Sequence, residues 1–173
     1  MTADLGSALP RVALRPLTPD AFAPFGDVLA HRGAARRTPY PSAFPGAFPG
    51  ALQAAAASPR PALWVSRVTV AQPLPLRVGQ MERHRHAAQS FVPLLAGRWL
   101  VLVAPDAPAG GPDPAGALAF LAGPGTGICY RPGIWHGSLA VLDAPAEFVV
   151  LMSDAGHPDD DEFRPIAPFL VTA

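Results

Sequence analysis

Proline and glycine interrupt this chain before any helix can lengthen. The 173 residues include 23 prolines and 16 glycines. Proline removes a helical donor and clashes with the preceding turn, and both residues concentrate where a chain reverses. Between these breaks lie short apolar, often β-branched runs at 63–71, 76–86, 90–94, 98–104, 117–121, 127–131, 138–142 and 146–152. Many short strands separated by frequent turns predict an all-β fold, either a sandwich or a closed barrel. Upstream, residues 11–17 read as a first strand. Thr18-Pro19-Asp20 then supplies an N-cap, a proline at the first helical position and an acid in the first turn, so a short helix to about Phe25 is expected, with Gly26 ending it and 27–30 extended again. Residues 31–61 carry a near-duplicated Ala-Phe-Pro-Gly at 43–46 and 47–50 and read as an irregular loop rather than a repeat.

The remaining composition narrows the function classes. Half the residues are apolar and 15% are charged, which suits one folded domain spanning residues 1–173. The formal charge is zero and no basic run occurs, so neither a nucleic-acid nor a membrane partner is expected. All 13 basic residues are arginine, which excludes a lysine nucleophile and leaves arginine as the fixed cation for any carboxylate. Cys129 is the single cysteine; it predicts a small buried core residue, with no internal disulfide and no thiolate-rich metal site. With neither a secretory leader pattern nor a bilayer-length apolar run, the expected location is the cytoplasm.

Three of the five histidines fall in two segments, Glu82-Arg83-His84-Arg85-His86 and Tyr130-Arg131-Pro132-Gly133-Ile134-Trp135-His136. On an extended strand, side chains alternate, so Glu82, His84 and His86 would share one face and Arg83 and Arg85 the other. Three ligand-capable groups on one face imply a barrel whose inward side lines a partly polar cavity. Arg83, on the far face, is expected in a salt bridge or subunit contact. His31 and His157 read as solvated loop residues. The run Asp159-Asp160-Asp161-Glu162 reads as a solvated or helix-starting acidic turn.

The pattern His84-x-His86 with Gln89, followed some fifty residues later by Pro132-Gly133-x-x-His136, resembles the paired motifs of the cupin superfamily. That resemblance implies a double-stranded β-helix or jelly-roll barrel with one or two short helices. It also implies one divalent metal (Ni, Fe, Mn or Zn) on His84, His86, Gln89 and His136. A surface position at the strand end stands beside the ligand reading for His86.

A narrower resemblance rests on Glu82-Arg83-His84, Gln89-x-Phe91-x-Pro93-Leu94 and Tyr130-x-x-Gly133-x-Trp135-His136, with the lead-ins Leu14-x-Pro16-Leu17-Thr18, Phe22-x-x-Phe25-Gly26-Asp27-Val28 and Ala71-Gln72-Pro73. Together these are similar to the ureidoglycolate lyase family over most of residues 12–163. The family implies a homodimeric cupin-like enzyme that splits ureidoglycolate into glyoxylate and urea in allantoin catabolism. On that likeness His84 and His136 act as the acid–base pair or hold the metal, and Glu82 orients or polarises one of them. Gln89 would contact substrate, and Tyr130 and Trp135 read as core aromatics or as walls of its cavity. The alternatives are a metal-dependent cupin enzyme of another class, such as an oxygenase or isomerase, and a non-catalytic cupin that binds small carboxylates.

Overall fold

A computed structural model describes residues 9–30, 60–154 and 157–173. The expected irregular segment therefore lies outside the described residues from 31 to 59, together with His31. Its last two positions, 60 and 61, open a strand instead.

The described chain is almost entirely β. In order, the elements are β1 (Arg11–Pro16), α1 (Pro19–Phe22), β2 (Gly26–Leu29), β3 (Arg60–Val68), β4 (Leu76–His84), β5 (Gln89–Leu95) and β6 (Trp99–Ala104). A single 3₁₀ turn, Pro114–Gly116, precedes β7 (Leu118–Ala122), β8 (Gly127–Tyr130), β9 (Trp135–His136), β10 (Ala140–Val141), β11 (Ala146–Asp154) and β12 (Asp161–Thr172). The helix follows its expected start: the Thr18 hydroxyl accepts the Ala21 N–H at 3.3 Å, and Pro19 occupies the first turn.

Seven strands run in the order β10-β6-β7-β1-β12-β4-β9, and a further β6–β9 pairing closes six of them into a ring. Five more form a second sheet, β2-β8-β5-β11-β3, packed on the outside of that ring. This closed barrel with an added sheet and one short helix is the all-β, cupin-type architecture expected.

Strand β6 shows why the sequence builds two walls. Its six residues Trp-Leu-Val-Leu-Val-Ala are all buried, because both faces meet protein. Trp99, Val101 and Val103 pack with Phe22, Phe91, Phe120, Ile128, Phe148 and Val150 between ring and sheet. Leu102 and Ala104 turn the other way and meet Val78, Met81, Ala119, Trp135, Phe169 and Val171, contributed by the strands of the ring. Each large side chain so buried stabilises the fold by about 1.5–3 kcal/mol. The ring lumen is thus lined largely by apolar groups, and Val78, Leu100, Leu102, Ala119 and Val171 border a cavity of about 270 Å³ there.

Candidate active site

The polar cluster occupies the second space, between ring and sheet, instead of the ring's own interior. Glu82 on β4 pairs in register with His136 on β9. The Glu82 Oε1–His136 Nε2 separation is 3.5 Å, and the His84 and His136 rings lie 5.7 Å apart between centroids. His136 also stacks on Tyr130 of the five-stranded sheet at 4.3 Å, its planes inclined by 19°. Tyr130 faces Gln89 across the β5–β8 pairing. Directly opposed residues share a face, so Gln89 belongs to the same wall.

A tight turn brings the two histidine segments together. Arg131-Pro132-Gly133 reverses the chain after β8, with Gly133 at φ +79°, a left-handed value that glycine adopts without a Cβ penalty. The Gly133 N–H then donates to the His84 carbonyl at 2.7 Å, tying the turn before His136 to the end of β4.

Each ring has one nitrogen fixed. His136 Nδ1 lies 2.9 Å from the Ile134 carbonyl, so this nitrogen carries the proton and donates it. His136 Nε2 is left buried without a hydrogen-bond partner, as is Gln89 Oε1. Orphaned polar atoms of this kind are rare in folded proteins and mark places where a ligand can supply the missing partner. His84 Nδ1 sits 2.7 Å from Asp161 Oδ1 and 4.0 Å from Asp160 Oδ2, which leaves its Nε2 for a ligand.

Electrostatics divide the roles. Burial alone would raise the Glu82 pKa, but the adjacent His136 and His84 rings outweigh that and hold it below the ordinary carboxylate value. Tyr130 is driven the other way, chiefly by burial and then by the Glu82 charge, and stays a neutral phenol.

Two expected site residues stand elsewhere. Strand β4 ends at His84, so alternation no longer governs His86, which turns toward His157 and Asp159. Trp135 precedes His136 on a strand and therefore faces the ring lumen; its indole N–H donates to Asp106 at 2.8 Å beneath the Arg83 guanidinium, 4.3 Å from the ring centroid. It is a core aromatic, not a wall of this site. Arg83 forms the salt bridges expected of the far face, to Glu162 at 2.8 Å and Asp106 at 3.2 Å.

The acidic run corrects its expected role. Asp160 is buried and accepts the His86 N–H at 2.6 Å, and Asp161 opens β12 opposite His84. Four consecutive acids in a chain with 13 in all were the available signal, because so dense a charge needs partners, and the histidine-arginine segment offers them.

Among the described residues, two groups bring ligand atoms within 4.8 Å of one another, His84 with Asp160 and Asp161, and His86 with His157 and Asp159. A single ion held jointly by His84, His86, Gln89 and His136 does not fit this placement, since the three imidazoles form no common group.

A β barrel carrying a second sheet, with a histidine–carboxylate pair between the two walls, places the chain among small cupin-type proteins. The sequence comparisons are more specific. The ureidoglycolate lyase family profile matches residues 9–172. A ureidoglycolate lyase of Burkholderia cepacia is 38% identical over 161 residues, covering 90% of this chain and 87% of that protein. The Mesorhizobium japonicum ureidoglycolate lyase is 34% identical over 155 residues, 89% and 93% of the two chains. One from Pseudomonas syringae pv. tomato is 31% identical over 154 residues, 88% and 89%. The chain belongs to the ureidoglycolate lyase family.

Proposed function

We propose that this protein is a carbon–nitrogen lyase that cleaves ureidoglycolate to glyoxylate and urea. The observation that carries the reading is the unpartnered His136 Nε2 held beside the Glu82 carboxylate. Ureidoglycolate bears its hydroxyl and its ureido nitrogen on the same carbon, so one base can serve both. His136 Nε2 takes the hydroxyl proton, the O–H electrons form the carbonyl of glyoxylate, and the C–N pair leaves with urea. The imidazolium formed, stabilised by Glu82, returns its proton to the departing nitrogen. Atoms balance without water.

His84, oriented by Asp161, is assigned to the substrate carboxylate through its Nε2. Gln89 Oε1 needs a donor, and the ureido N–H groups are donors. Tyr130 supports the His136 ring. A homodimer in the cytoplasm belongs to the same proposal. Cys129 is the chain's single cysteine, so the fold stands without an internal disulfide, as suits a reducing compartment. An exposed apolar face on the second sheet offers a contact for a second copy.

The test is release of urea and glyoxylate in equal amounts from ureidoglycolate, above the uncatalysed rate. Turnover in wild type that falls by roughly 10²–10⁴ in His136→Ala and is sharply weakened in His84→Ala is the expected result. Equal rates in wild type and both variants would refute it.

A further inference from the structure

Just beyond β4, a second histidine pair stands outside the reaction centre. The His86 and His157 rings lie 4.3 Å apart between centroids, inclined by 33°. His86 Nε2 is buried, makes no hydrogen bond and sits 3.4 Å from Asp159 Oδ1. One ligand atom from each of His86, His157 and Asp159 falls within 4.8 Å of the other two. Imidazole and carboxylate ligands bind Zn²⁺ at about 2.0–2.2 Å, so modest side-chain rotation brings this trio around one ion.

The backbone already holds the three ligands in place. The Asp160 N–H donates to the His157 carbonyl at 3.2 Å, closing the turn that carries His157 and Asp159. The Asp160 carbonyl accepts the Arg85 N–H at 3.0 Å, and its carboxylate accepts the His86 N–H. The turn is therefore stitched to the segment that bears the third ligand, and little ordering remains for an ion to accomplish. His157 and Asp159 are exposed, which leaves the outward positions to water.

We propose that His86, His157 and Asp159 form a binding site for one divalent transition-metal ion of the zinc type. Two imidazoles favour such ions over the oxygen-seeking Mg²⁺ and Ca²⁺. The site abuts the reaction centre without sharing residues with it. The turn that would carry the ion leads directly into Asp160 and Asp161, and Asp161 orients His84. Occupancy would clamp the 157–161 turn against β4 and steady that contact.

Titrating the full-length protein with zinc chloride, followed calorimetrically and by thermal melting, tests the proposal. One equivalent should bind and raise the melting temperature. Affinity should fall at least about tenfold in His157→Ala and in Asp159→Asn, by analogy with the losses seen when a metal's supporting groups are removed, and stay unchanged in His136→Ala. Magnesium chloride should neither bind stoichiometrically nor shift the melt. His157 and Asp159 are exposed, so both variants should melt like wild type without zinc, separating lost ligands from lost fold. No saturable zinc binding, binding unaltered in both variants, or binding abolished by His84→Ala while His157→Ala retains it would overturn the assignment.

Discussion

Glu82 fixes the charge balance of the proposed reaction centre. A buried carboxylate is normally pushed toward protonation, but here two imidazoles reverse the sign and favour the anion in the folded protein. A group whose folded pKa is depressed stabilises the fold above its unfolded pKa, about 4.3 for glutamate, and loses that contribution as pH falls through the lower folded value. Glu82→Gln keeps the shape and removes the charge. Turnover should drop by about 10²–10³, because the His136 imidazolium loses its counter-charge. Urea melts at about pH 6 and pH 3 should show the stability gap between wild type and Glu82→Gln narrowing at the acid end. A constant gap would mean the carboxylate is not held ionised by its neighbours.

The elements explain what could be read from the sequence and what could not. Strand β4 was legible as a run that follows Pro75, and the alternation of side chains along any extended strand placed Glu82 and His84 on one side and Arg83 on the other. It failed at His86 for a local reason: pairing with β12 stops at the Asp161–His84 register, and an unpaired residue has no fixed face. Strand β12 escaped notice because Pro165 and Pro168 argue against a ladder. The register breaks between Pro165 and Phe169, so the prolines fall at or inside the irregularity. The two-residue β9 is too short for any periodicity. With β12 and its acidic start unread, the partners of His84 could not be foreseen. Gly26, read as a helix stop, proves to be the first residue of β2, and a Cβ there would fall 1.8 Å from the Cys129 carbonyl oxygen. Two backbones meet at that point with no side chain to yield. Gly26→Ala should therefore destabilise the protein by about 3 kcal/mol, measured by urea unfolding, through forced separation of β2 from β8. A loss below about 1 kcal/mol would mean the strands part easily.

At the scale of the molecule, the second sheet has two unlike faces. Its inner face, with Phe91, Ile128, Tyr130, Phe148 and Val150, packs on the ring and holds one side of the proposed reaction centre. Its outer face is also apolar. Val65, Val149 and Val92 lie in register across β3, β11 and β5, and Leu63 stands opposite Leu151. Leu63 is 66% exposed and Val65 55%, with Leu94 and Leu95 similarly open. Contiguous exposed apolar surface on a β-sheet is an association hazard unless a partner covers it, and β3 leaves one edge of the same sheet unpaired among the described residues. A second copy of the chain, brought face to face, covers both surfaces at once and satisfies the closed symmetry that most oligomers adopt. Val65→Glu places a charge at the centre of this face while the inner wall stays intact. Sedimentation at micromolar concentration should give a dimer for wild type and a monomer for Val65→Glu. The variant should keep most of its turnover, since Glu82, His84 and His136 belong to the ring, beyond the inner face of this sheet. A wild-type monomer, or a dimer indifferent to the substitution, would remove this face from the assembly.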